Sequence, residues 1–167
     1  MKLRISSLVN DSIVDGRGIR LAVFTQGCSH NCPGCHNPQT HDFAGGKEMD
    51  TDQIKKAMAQ NPLLDGVTLT GGDPFFQAAP CAQIAKDAHA LGLNVWTYTG
   101  FLLEELQESQ DEGVQALLQE TDVLIDGPFL LEERSLELRF KGSRNQRLID
   151  MNQTRQTGQI TLLEENL

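Results

Sequence analysis

The strongest restriction on the fold of this 167-residue chain is a repeated order of strand and helix along the sequence. Short segments rich in apolar and β-branched residues alternate with segments of helical character, an order typical of a parallel sheet with crossover helices. Four such units are too few to close an eight-stranded barrel. We therefore predict an α/β fold, namely a partial, open β/α barrel with a mostly parallel, curved sheet. The predicted strands cover residues 19–27, 66–70, 94–100 and 122–126.

The chain contains no internal repeat and no linker-like segment, which predicts a single domain over residues 1–167. We expect its core to span about residues 10–150, and the tail 151–167 to follow it. The stretches 148–151 and 159–165 are expected to add one or two small edge strands. A helix is predicted after Asp50 or Thr51, either of which can cap it, and a second helix is expected to stop at Gly92.

Ligands of parallel α/β sheets bind outside the carboxyl ends of the strands. In this sequence each predicted strand runs into a turn that carries glycine or cysteine. We expect these turns to gather at one rim of the sheet and to form the functional site there. They are the cysteine loop, defined here as residues 27–40, and the turns Gly71-Gly72-Asp73-Pro74, Tyr98-Thr99-Gly100 and Asp126-Gly127-Pro128.

The cysteine loop contains Cys28, Cys32 and Cys35 in the spacing C-x3-C-x2-C. A closed zinc site needs four ligands and usually takes two of them from a second close pair, which this sequence lacks. A four-iron cubane takes one thiolate per iron, so three thiolates leave one iron open to another ligand. The spacing favours an iron–sulfur cluster, with a zinc site or an electron-transfer module without catalysis as the alternative. Cys81 lies in a predicted helix and is expected to be a small buried residue.

These residues resemble the radical S-adenosylmethionine enzymes. The cluster motif of that family has the spacing of the three cysteines, and TGGDP at 70–74 is similar to its Gly-Gly-Asp/Glu-Pro motif after the second strand. The resemblance implies a fold of the radical S-adenosylmethionine type, a [4Fe-4S] cluster on three cysteines, and S-adenosylmethionine bound to the open iron. Glycines suit this role because they let the backbone approach closely and its carbonyls accept from an ammonium group.

Further segments resemble a subgroup of that family, the activating proteins of glycyl-radical enzymes, and within it those of anaerobic ribonucleotide reductase. Two positions depart from the pattern. Gly34 stands where many radical S-adenosylmethionine enzymes have an aromatic residue, so His36 is expected to take over that contact, and Arg17 stands where proline is usual. The similar segments are DGRGIR at 15–20, CPGCHN at 32–37, VWTYTG at 95–100, DVLIDGPF at 122–129 and KGSRNQRLID at 141–150.

The resemblance also implies roles for individual residues, and none of them is that of a general acid or base. Cofactor contacts are expected from Gly34, Cys35, His36, Gly71, Gly72, Asp73, Pro74, Thr99 and Asp126. For His36 the alternative is a surface loop residue, and for Asp126 a turn cap beside Gly127. Recognition of a protein partner is expected from Arg144, Asn145, Gln146 and Arg147. For these four residues the alternative is a structural loop.

The implied activity is the activation of anaerobic, class III ribonucleotide reductase. Reductive cleavage of S-adenosylmethionine gives a 5′-deoxyadenosyl radical, which takes a hydrogen atom from a glycine of the reductase and leaves a glycyl radical there. The implied partners are the large subunit of the reductase and a flavodoxin-type electron donor. The alternative is a radical enzyme that acts on a different glycyl-radical enzyme or on a small molecule, similar to the 7-carboxy-7-deazaguanine synthases.

Charge and hydropathy exclude other classes of function. A net charge of -9 and a pI of about 4.8 argue against a nucleic-acid binder. The first residues lack the apolar region of a secretory signal, and no run of about 18 apolar residues occurs, so we predict no membrane span and a cytoplasmic location. The acidic segment 104–137, followed by a basic one, is either a solvated helical face with a basic loop or a docking surface.

Overall fold

The computed structural model describes residues 1–30, 32–35 and 37–163. Its strands are β1 (Lys2–Ser12), β2 (Arg20–Thr25), β3 (Lys47–Asp50), β4 (Gly66–Gly71), β5 (Asn94–Tyr98), β6 (Val123–Asp126) and β7 (Arg147–Asp150). They form one seven-stranded sheet in the order β3-β1-β2-β4-β5-β6-β7. Within the described residues β3 and β7 are the two ends of that order, so the sheet is open.

The four predicted strands are β2, β4, β5 and β6, and neighbours among them pair in parallel. Their register places Val23 opposite Leu69 and Leu69 opposite Thr97. The flanking strands are antiparallel, with β1 and β3 beyond β2 and with β7 beyond β6. The predicted α/β class with an open, largely parallel sheet is therefore confirmed.

Helices follow the strands as the alternating order requires. They are α1 (Thr51–Gln60), α2 (Ala78–Ala90), α3 (Leu103–Gln107), α4 (Glu112–Glu120) and α5 (Met151–Thr157). The cap of α1 is Asp50, whose carboxylate accepts from the Asp52 N–H at 2.9 Å, while the Gln53 side chain accepts from the Asp50 N–H at 3.0 Å. This reciprocal pair is a capping box. After α2 the chain turns at Gly92 with a φ of +77°, as predicted for a residue that ends a helix.

Successive residues of a strand face opposite sides of the sheet, so the parallel strands contribute to two cores. The larger core lies on the side of the helices, where Leu21, Leu69, Ile84 and Leu117 are fully buried. Burial of each such side chain contributes about 1.5–3 kcal/mol. Cys81 belongs to this core with 0% of its surface exposed, which confirms its predicted packing role. The smaller core on the other side comprises Trp96, Val123, Ile125 and Leu148.

A buried arginine joins the amino ends of three parallel strands, at the end of the sheet opposite the rim. Arg20 has no exposed surface and donates from Nε to Thr68 Oγ1 at 2.7 Å and from Nη2 to Asn94 Oδ1 at 2.7 Å. Its guanidinium lies 5.3 Å from the centre of the Trp96 ring. Burial lowers the pKa of Arg20 to about 10. The last residue of the DGRGIR segment therefore has a structural role at the amino end of β2.

Parts of the fold differ from the expectation. The N-terminal strands β1 and β3 were not predicted, although the alternation in β1 buries Leu3 and Ile5. The expected strand at 148–151 is β7, whereas the stretch 159–163 forms only a bridge from Leu162 to Ile149 among the described residues. α5 lies between them because Asp150 caps it. Among the described residues, none of the helices combines the length and the apolar character that a membrane crossing requires.

Candidate active site

The carboxyl ends of the parallel strands open into a cleft of about 330 Å³. All four predicted turns contribute to its wall, so the parallel register brings them together at one rim. The residues of these turns that line the cleft include Cys28, Cys32, Cys35, Gly71, Gly72, Tyr98, Thr99, Gly100 and Gly127. Sequence reasoning did not single out Val14, Asp15, Phe140 or Lys141, which also line the cleft. Asp15 and Lys141 lie within the segments that resemble the family, 15–20 and 141–150, whereas Val14 and Phe140 directly precede those segments.

The three cysteines of the loop are free and half-buried. The loop is attached at its start, where the Gly27 N–H donates to the Thr40 carbonyl at 2.7 Å and the Cys28 N–H to the His41 carbonyl at 3.2 Å. Burial raises the pKa of the Cys28 thiol to about 11, because a thiolate loses its hydration inside the protein. A positively charged metal centre reverses this preference, since thiols that coordinate a metal are deprotonated.

The Gly71-Gly72 turn lies against the start of the cysteine loop. A Cβ on Gly71 would lie 2.4 Å from the Thr25 backbone nitrogen, and one on Gly72 would lie 2.5 Å from the Gly27 carbonyl oxygen. Gly71 also has a φ of +100°. The Gly72 N–H donates to the Thr25 carbonyl at 2.8 Å, and the Asp73 N–H donates to the Gly27 carbonyl at 3.0 Å. Only glycine allows this contact, which leaves the backbone of the turn exposed to the cleft.

Asp73 is buried beside the cleft and accepts four hydrogen bonds. Its Oδ2 accepts from Thr99 Oγ1 at 2.8 Å and from the Gly100 N–H at 2.9 Å, and its Oδ1 accepts from the Phe75 N–H at 3.0 Å. His30 Nε2 lies 2.7 Å from the same Oδ2. Sequence reasoning missed His30, because its partner lies 43 residues away along the chain. These bonds engage the side chains of Asp73 and Thr99 within the protein, and their predicted cofactor contacts stay predictions.

Asp126 and Arg147 were predicted for two different roles, and the structure places them in contact. Asp126 is fully buried and accepts from Arg147 Nε at 2.9 Å and from the Leu103 N–H at 2.8 Å. Arg147 also donates to Glu104 Oε1 at 2.6 Å. The hydrogen bonds to Asp126 raise the pKa of Arg147 despite its partial burial. The pair joins the ends of β6 and β7 to the start of α3.

The neighbouring residues of the predicted partner-binding segment bind the backbone of the rim. Asn145 Nδ2 donates to the Pro128 carbonyl at 2.7 Å, and Gln146 Nε2 donates to the Gly127 carbonyl at 3.0 Å. Gln146 also lines the cleft. The Arg144 side chain is exposed. Of the four predicted residues, Arg144 therefore has the most accessible side chain.

The remaining predicted cofactor residues lie in or beside the cysteine loop. Gly34 has a φ of +74°, and a Cβ there would lie 2.9 Å from Leu131 Cδ1. Pro74 is buried at the first position of the short helix Pro74–Gln77. His36, predicted to contact the cofactor, lies outside the described residues. The roles of all three stay predictions.

The donor set of the cleft fits an iron–sulfur cluster. Among the described residues, no three Cys, His, Asp or Glu side chains converge as the ligands of a single metal ion do. The three thiols instead line one cleft, which suits a cubane because each thiolate binds a different iron. The backbone N–H of Asn37 donates to Cys35 Sγ at 3.4 Å. Such N–H donors to sulfur stabilise cluster ligands and tune the reduction potential.

Comparisons with known proteins agree with this site. A family model described as a 4Fe-4S single cluster domain matches residues 14–149. An anaerobic ribonucleoside-triphosphate reductase-activating protein from Haemophilus influenzae is 34% identical in an alignment of 145 residues, and the match covers 80% of this chain and 89% of that protein. A pyruvate formate-lyase-activating enzyme from Clostridium pasteurianum is 31% identical in an alignment of 134 residues, and the match covers 68% of this chain and 56% of that protein. The crystal structure of QueE from Escherichia coli aligns with a TM-score of 0.47 at 13% sequence identity, and the alignment covers 75% of this chain and 70% of QueE. At this TM-score the similarity carries no argument about the family of the chain.

The three-cysteine cleft and these similarities define a radical S-adenosylmethionine enzyme of the glycyl-radical activating class, with a [4Fe-4S] cluster and S-adenosylmethionine as its cofactors. The chain belongs to the family of anaerobic ribonucleoside-triphosphate reductase-activating proteins. The predicted family, enzyme class and cofactors are thus confirmed. The roles of individual residues of the site are not, and they stay predictions.

Proposed function

We propose that this protein activates an anaerobic ribonucleotide reductase by producing a glycyl radical in its large subunit. The observation that carries the proposal is the cleft at the strand ends, where three free cysteines and the Gly71-Gly72 backbone meet. The family of the chain supports the choice of partner.

In this proposal Cys28, Cys32 and Cys35 hold the cluster, and the backbone of Gly71 and Gly72 receives the methionine part of S-adenosylmethionine. When bound, the cluster and S-adenosylmethionine would supply a cleavage that uses one electron from an external donor and gives methionine and a 5′-deoxyadenosyl radical, the species that takes the hydrogen atom from the α-carbon of the target glycine. The protein's own contribution is to hold and orient these groups and to exclude other hydrogen donors. No side chain is needed as a general acid or base.

The substrate of this reaction is part of another protein, and the open sheet leaves the cleft accessible from the side. We assign Arg144 to partner recognition because its side chain is exposed beside the cleft-lining residue Gln146. Asn145, Gln146 and Arg147 contribute by holding the same segment in place. A flavodoxin-type protein is the proposed electron donor, and the cytoplasm is the proposed location.

The experiment that tests the proposal combines the reconstituted, reduced protein with S-adenosylmethionine and the candidate reductase under anaerobic conditions. We expect 5′-deoxyadenosine by chromatography and a glycyl radical by electron paramagnetic resonance. Cys35→Ala is expected to abolish both, whereas Cys81→Ala, the matched control in the core, is expected to retain both. Formation of 5′-deoxyadenosine without a glycyl radical would contradict the choice of partner and leave the cofactor chemistry intact.

The same assay tests Arg144. Arg144→Met is expected to reduce glycyl-radical formation while the uncoupled cleavage of S-adenosylmethionine stays at the wild-type rate, because the side chain does not line the cleft. An equal loss of both signals would contradict a role in partner recognition.

A further inference from the structure

His30 lies between Cys28 and Cys32 in the cysteine loop, and its ring contacts several neighbouring residues. Its Nε2 atom lies 2.7 Å from Asp73 Oδ2, and the exposed fractions of the two side chains are 17% and 0%. The ring packs edge-on against Phe101, with 4.5 Å between the ring centroids, and lies 5.6 Å from the Phe76 ring. The side chain is therefore mostly buried between elements of the rim, and it also lines the cleft.

The turn after β5 is shaped around this ring. A Cβ on Gly100 would lie 2.6 Å from His30 Cδ2 and 2.9 Å from its Nε2, so only glycine leaves room for the ring. The Gly100 N–H and the Thr99 hydroxyl both donate to the Asp73 oxygen that His30 contacts, at 2.9 Å and 2.8 Å. One buried carboxylate oxygen thus joins the cysteine loop to the end of β5.

The same aspartate also holds the start of the loop. The Asp73 N–H donates to the Gly27 carbonyl at 3.0 Å, directly before the first cysteine. The backbone of Asp73 holds the loop at Gly27, and its carboxylate holds the loop at His30. Both attachments originate from the Gly-Gly-Asp-Pro turn, which follows β4.

The geometry points to His30 and Asp73 as positioning residues that place Cys28 and Cys32 for cluster binding. His30 stands two residues from each of these cysteines, so an immobilised His30 restricts the backbone between them. The inference rests on the proposed function only in taking the three cysteines as cluster ligands. Contacts of this kind around metal ligands typically change metal affinity about 10- to 100-fold when they are removed.

Three variants separate positioning from general stability. His30→Phe keeps a ring against Phe101 but removes the donor to Asp73. His30→Gln keeps a donor near the position of Nε2. His89→Phe is the matched control. His89 Nε2 lies 2.8 Å from Asp122 Oδ2, and Asp122 directly precedes β6 at the amino end of the sheet. The control thus removes a similar contact between a histidine and a carboxylate far from the cysteine loop.

Two measurements are made on each variant. Hydrogen exchange of the metal-free protein, read by mass spectrometry, is expected to accelerate in residues 27–40 of His30→Phe and to stay at the wild-type rate there in His89→Phe. Iron titration during reconstitution is expected to show an affinity about 10- to 100-fold weaker for His30→Phe, with recovery in His30→Gln. The electron paramagnetic resonance signal of the reduced cluster is expected to shift in His30→Phe alone.

Equal exchange of the loop in the wild type and His30→Phe would overturn the inference. Equal loss of iron affinity in His89→Phe would also overturn it, because the effect would then be one of general stability. If His30→Gln behaves as His30→Phe in both measurements, the contact with Asp73 is not the cause. If the wild-type protein binds no iron, the proposed function is contradicted. The hydrogen-exchange rates of residues 27–40 in the metal-free protein would still test whether His30 positions the loop.

Discussion

Removal of the Arg147 guanidinium tests the structural role that we assign to its contact with Asp126. In the described part of the chain, Asp126 has no exposed surface, and its carboxylate is bound by Arg147 and by the Leu103 N–H. Arg147→Met keeps much of the length of the side chain but leaves the carboxylate with the Leu103 N–H as its protein donor. A buried charge without its partner is strongly destabilising.

The expected loss of stability in Arg147→Met follows from the burial of Asp126. Breaking a buried ion pair by removal of one partner costs about 3–5 kcal/mol. The contact of Arg147 with Glu104 adds little, because Glu104 is more than half exposed. For a domain of this size each kcal/mol corresponds to about 2–4 °C in Tm, so the expected decrease is about 6–20 °C. Asp126→Asn combined with Arg147→Met should recover part of the loss, because the neutral amide can still accept from the Leu103 N–H.

The assay is urea unfolding of the metal-free protein under reducing conditions, monitored by the fluorescence of Trp96, the single tryptophan of the chain. Arg144→Met is the control, since this exposed arginine is three residues away in the same segment and its replacement should change the free energy of unfolding by less than about 0.5 kcal/mol. Equal unfolding free energies for Arg147→Met and Arg144→Met would refute the structural role. Arg147 would then be available to the partner, as its sequence motif suggests.

Two further predictions concern the turn at the cleft and the opposite end of the sheet. Gly72→Ala places a Cβ 2.5 Å from a backbone carbonyl of the cysteine loop and should lower the iron content after reconstitution. The control Gly92→Ala, at a φ of +77° with no atom within 4 Å, should lower the free energy of unfolding by about 1–2 kcal/mol and retain iron. Equal iron content in both variants would contradict the steric argument. Burial lowers the pKa of His89, but hydrogen bonds with Asp122 and Glu120 outweigh burial and raise it above its ordinary value. Its stabilisation should therefore be complete below the unfolded pKa of about 6.5 and be lost as the pH rises through the folded pKa. The difference in unfolding free energy between the wild type and His89→Gln, measured by urea titration from acid to neutral pH, should shrink, and a constant or growing difference would count against this assignment.

Much of the fold was predictable because its signals are local. The four parallel strands and the caps of α1 and α2 follow from apolar segments, Asp50 and Gly92, each of which acts within a few residues of its own position. The strand β1 was not predicted, because its burial depends on pairing with β2 and β3. The short helix α5 was missed because Asp150 ends a strand and caps a helix at the same position.

The functional site likewise has a part that local sequence signals predict and a part that depends on tertiary contacts. The sequence alone predicted the chemistry, because three cysteines within eight positions, together with the motifs that resemble the radical S-adenosylmethionine enzymes, indicate a three-thiolate cluster site, and the strand order predicts the rim where it lies. Only the tertiary structure decided which polar side chains face the cleft and which hold the rim together. Asp73 contacts His30 from 43 residues away, and Asp126 contacts Arg147 from 21 residues away. Such partners are chosen by the register of neighbouring strands and by the space that Gly100 leaves, and both exist only once the sheet has formed.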